Sequence, residues 1–271
     1  MTVAQPIPQP VFVRNLGQGP RRVLALHCTL AHSGAWRGLA DEMGDEVTLI
    51  TPDMLSHGRS PDWDGQGDFQ DRSVAAVAHL LDGPMDVIGH SFGGTLALRL
   101  ALAYPDRVRS LTMIEPVLFT VAGLDNPQIL ADHDAEVAPF VDACEAGDYA
   151  LAARVFNRMW GEGGARWFDL PERTRAAMIR SITVVPATSP AVYDDHAGMM
   201  VPGVLDRVTM PAMLLRGSRA QPVIDVVNAG MTRRLPDAEN VMVEGAGHML
   251  PISDPGATAA ELRRLFARAP V

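Results

Sequence analysis

Short apolar runs alternate along this chain with stretches whose apolar residues recur at helical spacing. Val23-Leu24-Ala25-Leu26, Val47-Thr48-Leu49-Ile50, Met85-Asp86-Val87-Ile88 and Val108 to Ile114 are near-continuous apolar runs of strand length. That is the pattern of strands covered on both faces. Between them, about Ala35 to Met43, Phe69 to Leu81 and Thr95 to Ala103 read as helices. A weaker run, Val11-Phe12-Val13, predicts a short edge strand before a turn at Gly17-Gln18-Gly19-Pro20, and the Pro-rich residues 1–10 predict an extended arm. Strand and helix in regular alternation imply right-handed crossovers and a parallel sheet.

The rhythm breaks after Glu115. From Pro116 to about Asp206 the pattern is helical with Pro and Gly breaks, best over Ala135 to Ala146, Tyr149 to Trp160 and Pro171 to Arg180. Only Ile182-Thr183-Val184-Val185 resembles a β-run there. The sheet pattern resumes with a strand at Ala212 to Leu215, a helix over Val223 to Leu235, a strand at Asn240 to Val243 and a closing helix over Ala257 to Ala267. The expected organisation is a core of residues 1–115 and 207–271, with residues 116–206 as a mainly helical cap.

Composition narrows the class. The chain has 271 residues, 47% hydrophobic and 20% charged, enough for one large α/β domain. A formal charge of −9 argues against nucleic acid or an anionic membrane surface as the main partner. Two cysteines, Cys28 and Cys144, give neither a disulfide framework nor a thiolate metal cluster. The opening MTVAQPIPQP lacks a basic segment followed by an apolar one, and no run is long enough to span a bilayer. A cytoplasmic enzyme with a small-molecule substrate is the expectation; oligomeric state leaves no signal.

The chemistry centres on Gly89-His90-Ser91-Phe92-Gly93-Gly94, between a strand and a helix. Gly-x-Ser-x-Gly in that setting is a nucleophile elbow, with Ser91 at the apex and the N–H of Phe92 free to donate to an oxyanion. A serine hydroxyl needs a base, and His248, in a glycine-loosened loop after the last strand, is the best placed of eight histidines.

Taken with His27 after a buried strand and with Pro52-Asp53, His57-Gly58-Arg59-Ser60 and Gly245-Ala246-Gly247-His248, the elbow makes the chain resemble the α/β-hydrolase superfamily over nearly its whole length. The resemblance implies an α/β-hydrolase fold: a mostly parallel central sheet flanked by helices, with a cap inserted after the sixth strand. It also implies Ser91 as nucleophile, His248 as base, and the N–H of Thr29 as second oxyanion donor. Dehalogenases and epoxide hydrolases of this fold carry Asp at the elbow, so Ser91 argues against both.

Two positions depart from the family pattern. Cys28 stands where relatives commonly have glycine, and reads as a small buried wall residue. The usual acid position, aligned on Gly217-Ser218-Arg219, is Ala220. Two other carboxylates compete for the role of orienting the histidine. Glu115 ends its strand on the same sheet edge as Ser91, where some family members place their acid. Asp225 opens a helix, where a carboxylate is equally favoured by the helix dipole. Glu115 is the preferred candidate and Asp225 the alternative; Glu244, four residues from His248, needs an awkward loop.

His90 reads as a packing or bonding residue behind the nucleophile, His57 and Asp53 as braces of their own loops, and Asp194-Asp195-His196 as a solvated cap turn rather than a metal site. Cys28, Met54, His90 and Met249 are candidates for the pocket wall or floor. Apolar cap residues, Phe119, Phe140, Phe156, Met159, Trp160, Trp167, Phe168, Met199 and Met200, supply cap core and leave some side chains to face Ser91. The expected activity is hydrolysis of a small or medium apolar ester or lactone, needing neither metal nor organic cofactor. Alternatives on the same fold are a cofactor-free oxygenase or haloperoxidase-like enzyme, a C–C bond hydrolase, and a non-catalytic ligand receptor.

Overall fold

In the computed structural model, which describes residues 10–161 and 166–271, a seven-stranded sheet carries the site. All but the last residue of the expected N-terminal arm lies outside those residues. The edge strand β1 (Val13–Leu16) forms slightly later than Val11 to Val13, ahead of the turn at Gly17. The chain continues through β2 (Arg21–Leu26), α1 (Arg37–Met43), β3 (Val47–Pro52), α2 (Phe69–Val77), β4 (Met85–His90), α3 (Phe92–Ala103) and β5 (Val108–Ile114). After the helical insertion come β6 (Ala212–Gly217) and β7 (Ala238–Val243). The spatial order is β1-β3-β2-β4-β5-β6-β7. β1 runs antiparallel to β3, and every other pair is parallel.

The near-continuous apolar runs follow from burial on both faces. Along β2, Leu24 and Leu26 enter one core layer while Val23 and Ala25 enter the other. The first layer is closed by α3 and by the helix between the last two strands, through Leu96, Leu100 and Val227. The second is closed by α1 and the C-terminal helix, through Leu39, Met43, Leu262 and Leu265. Each layer thus receives alternate residues of the same strands, as the period of two requires.

Between β5 and β6 the chain forms α4 (Phe119–Asp125), α5 (Pro127–Glu145), α6 (Tyr149–Trp160), α7 (Glu172–Ile182) and α8 (Ser189–Val192), with no strand among the described residues. The insertion follows the fifth described strand; the count of six came with the family resemblance, and the described residues contain no strand before β1. Part of it packs on itself through Phe140, Ala143, Ala152, Ala153, Met178 and Ile182.

Two local expectations fail here. Ile182 to Val185 is the end of α7 and a following turn, not a strand. Two of its β-branched residues are there to be buried, Ile182 fully and Val184 nearly so, and tertiary packing overrides propensity. The helix expected from Ala135 starts at Pro127, with the Asn126 side chain accepting from the Ile129 N–H. Asn at the cap and Pro at the first position are ordinary start signals. Pro139 lies in the interior of this helix.

The final elements are α9 (Pro222–Arg234), between β6 and β7, then α10 (Leu250–Ser253) and α11 (Pro255–Arg268).

Candidate active site

The carboxyl end of β4 turns sharply at Ser91, whose φ of 56° and ψ of −119° lie where residues other than glycine rarely sit. The reversal brings backbone against backbone. A Cβ on Gly89 would stand 2.1 Å from the Gly93 carbonyl oxygen, and one on Gly93 2.3 Å from that of Leu26. Both positions therefore exclude any side chain. The Ser91 N–H donates to the Ile114 carbonyl at 2.8 Å, which ties the turn to β5.

Phe92 begins α3, so its N–H has no intrahelical acceptor and lies at the positive end of the helix dipole. Thr29 lies in the loop after β2. Both line the same cavity as Ser91.

That loop is braced by buried histidines. His27 donates through Nδ1 to the Cys28 carbonyl at 2.8 Å and accepts the Met54 N–H through Nε2 at 2.9 Å. His57 donates to the Leu55 carbonyl and accepts the Leu30 N–H at 3.2 Å. Both rings use one donor and one acceptor, the pattern of neutral imidazole. Burial, with the neighbouring His57 second, pushes His27 down to about 3; burial likewise pushes His57 down to about 4. Asp53 joins two loops by accepting from the N–H groups of Ser33 and Arg59. His57 and Asp53 thus brace more than their own loop.

Glu115 follows β5 with φ of 46°, continues the sheet by donating its N–H to the Leu215 carbonyl at 2.8 Å, and is fully buried. Its carboxylate accepts from the Gly217 N–H at 2.8 Å and meets His248 Nδ1 at 2.7 Å. Two donors at normal length satisfy a carboxylate that burial would otherwise penalise. The pairing puts the imidazole proton on Nδ1 and leaves the lone pair on Nε2. No hydrogen bond joins that nitrogen to Ser91 Oγ among the described residues; without substrate such contacts are often long and tighten on binding.

His90 Nε2 donates to the His248 backbone carbonyl at 2.8 Å, so the loop carrying His248 is anchored to the strand carrying Ser91. Burial first, and electrostatic interaction with the neighbouring His248 second, hold His90 well below the usual histidine range. On its other side the His248 ring meets the indole of Trp160, at the end of α6, with centroids 4.6 Å apart.

Asp225 is elsewhere: it is exposed in the first turn of α9 and pairs with Arg216 at 2.7 Å. Glu244 accepts from the Ser218 hydroxyl. The Asp194 to His196 triplet does not converge, because Asp195 accepts from the N–H groups of Met199 and Met200 while His196 faces Asp71 at 3.6 Å.

Ser91 opens onto a mainly apolar cavity of about 500 Å³. Its walls come from Thr29 and Phe92 below and from the insertion above, including Phe119, Phe140, Phe156, Met159 and Trp160. Of the other apolar residues expected in the cap, Trp167 packs with the insertion's own core, Phe168 is exposed, and Met199 and Met200 join the main core.

The expected pocket residues are a correction, since none of Cys28, Met54, His90 and Met249 lines this cavity. The cavity rises into the insertion, whereas Cys28, Met54 and His90 are buried beneath the elbow and Met249 precedes α10. Burial also pushes the Cys28 thiol up to about 12, which keeps it protonated and unreactive. Sequence reading passed over His133, which lines the cavity. Its available signal was its place seven residues before the buried Phe140, on the same face of α5.

The family model described as "Alpha/beta hydrolase family" matches residues 23–261. The chain is similar to Lipase LipV of Mycobacterium tuberculosis, with 32% identity over 90% of this chain and 93% of that protein. It is also similar to the pimeloyl-[acyl-carrier protein] methyl ester esterase of Nitrosomonas europaea, with 28% identity over 90% and 95% of the two chains. Among solved structures, one titled "Marine microorganism esterase" shares the fold at a TM-score of 0.66, with 19% identity over 95% of this chain and 99% of that one.

Proposed function

Because the chain belongs to the alpha/beta hydrolase family, we propose that it hydrolyses small or medium apolar carboxylic esters or lactones through an acyl-enzyme on Ser91. The observation that carries this reading is the 2.7 Å contact between His248 Nδ1 and the buried Glu115 carboxylate. It leaves the Nε2 lone pair free to serve as the base for Ser91, which opens onto an apolar cavity. The names of the relatives, a lipase and a methyl ester esterase, agree with ester chemistry.

In this mechanism His248 Nε2 takes the Ser91 proton as Oγ attacks the substrate carbonyl carbon. The N–H groups of Thr29 and Phe92 receive the tetrahedral oxyanion, each worth about 3 kcal/mol in the transition state. Glu115 holds the imidazole in the required tautomer and stabilises the imidazolium. The same proton then passes to the leaving alkoxide, and a water deprotonated by His248 cleaves the acyl-enzyme. Residues 116–206 act as a cap: their apolar walls take up the substrate and exclude bulk water from the ester. A buried carboxylate on His248 Nδ1 favours catalysis over a non-catalytic ligand receptor.

The test combines labelling and turnover. A fluorophosphonate is expected to label Ser91 stoichiometrically, and Ser91→Ala to lose at least about a thousandfold in kcat on p-nitrophenyl esters. Labelling at another residue, or undiminished turnover, would overturn the assignment.

A further inference from the structure

The apolar cavity above Ser91 contains a polar group without a partner. His133, on the inner face of α5, is 4% exposed and lines the cavity, and neither ring nitrogen makes a hydrogen bond. The Gln221 side chain is close enough to favour the protonated ring, yet its Oε1 is also buried without a hydrogen-bond partner and leaves both ring nitrogens unpaired. Aromatic rings pack around the imidazole, Phe119 tilted at 4.5 Å and Trp160 edge-on at 5.8 Å between centroids. Trp160 also packs on His248, so His133 stands one indole away from the proposed catalytic base. A buried donor and acceptor left open are costly; a wall built only to bind hydrocarbon is better served by Phe or Leu.

We propose that His133 is a substrate-recognition residue, which hydrogen-bonds a hydroxyl on the arm of the ester that fills this cavity. The chain thereby favours hydroxylated acyl or alkyl arms over plain ones. This deepens the proposed ester hydrolysis and rests on that reading for the identity of the substrate.

The chemistry of the ring selects the class. Neutral imidazole offers one N–H and one lone pair, and a hydroxyl both donates and accepts, so it suits either tautomer. Burial lowers the affinity of His133 for a second proton, against opposing pulls from Asp134, the Gln221 side chain and Glu136. A neutral ring has no charge to offer a carboxylate, and the two acidic neighbours disfavour one further. The apolar walls accept the methylene chain between ester and hydroxyl.

The experiment measures binding to Ser91→Ala by calorimetry, so that its outcome does not depend on turnover. The probes are methyl hexanoate, its 3- to 6-hydroxy derivatives, monomethyl adipate, and hexyl acetate beside 6-hydroxyhexyl acetate. The best hydroxylated ester is expected to bind about tenfold more tightly than its parent, the value of one well-made hydrogen bond. Monomethyl adipate is expected to gain nothing over methyl hexanoate. Adding His133→Phe is expected to collapse the hydroxyl preference to within about twofold, and His133→Gln, which keeps a donor and an acceptor, to retain part of it. The His133 ring nitrogen resonances are expected to shift with the hydroxylated ester and not with its parent. The inference is overturned if no hydroxylated ester is preferred, if the preference survives His133→Phe, or if the carboxylate probe is favoured. Turnover of the parent esters by the wild type judges the hydrolase reading separately.

Discussion

Trp160 lays its indole against the imidazole of His248, with centroids 4.6 Å apart and planes inclined by 53°. One residue of the insertion thereby limits the orientations open to the proposed base. Trp160→Ala removes that wall, and is expected to lower kcat/KM about tenfold and stability by about 3 kcal/mol. Trp160→Phe, which keeps a ring, is expected to lose less of both. Steady-state kinetics beside denaturant unfolding separates the two effects.

Glu115→Gln retains the side chain's shape and removes its charge. The Nδ1 proton then has no anionic acceptor, and the wrong imidazole tautomer becomes available. We expect kcat to fall by about 10⁴ with an unchanged circular-dichroism spectrum. A loss smaller than about tenfold is inconsistent with Glu115 as the orienting acid.

Asp225→Asn provides the contrast. Its partner Arg216 is partly exposed and Asp225 is largely so, which places the pair among surface ion pairs of small effect. The expected changes are less than about 1 kcal/mol in stability and no more than about twofold in kcat, read in the same assays.

Acid is expected to destabilise the fold through its loop-bracing histidines. His27 and His57 are held neutral down to about 3 and about 4, whereas in the unfolded chain they titrate near 6.5. Between those limits the unfolded chain binds more protons than the folded one. The unfolding free energy therefore falls as the pH falls, by about 1.4 kcal/mol per pH unit for each histidine once below pH 6.5. Urea unfolding at pH 7, 6 and 5 measures the slope, and His57→Gln is expected to reduce it by one histidine's share.

The sheet was legible because parallel strands bury both faces, so β2 to β5 show as continuous apolar runs. The elbow was legible because Gly89 and Gly93 meet backbone that no side chain can displace. Glu115 was legible as a candidate from its place at a strand end. The cavity walls were not. Cys28, Met54 and His90 lie next to the site's motifs in sequence, yet they are buried without lining the cavity. The residues that enclose the space, such as Phe156 and Trp160, come from helices whose partners are distant in sequence. Ile182 to Val185 misled for the same reason, because burial in a non-local interior produces the same composition as a strand.

Placing the acid at the end of β5 also has a consequence for biosynthesis. Ser91 and Glu115 are on neighbouring strands made within the first 115 residues, before any of the insertion leaves the ribosome. His248 is made last, and it needs β6 and β7 in place, since the Gly217 N–H helps hold the carboxylate. A partly made chain therefore contains the proposed nucleophile and acid without the proposed base. On the proposed mechanism the chain becomes competent only once the loop after its last strand is in place, so the nascent protein is spared an exposed, activated serine while its interior is still open.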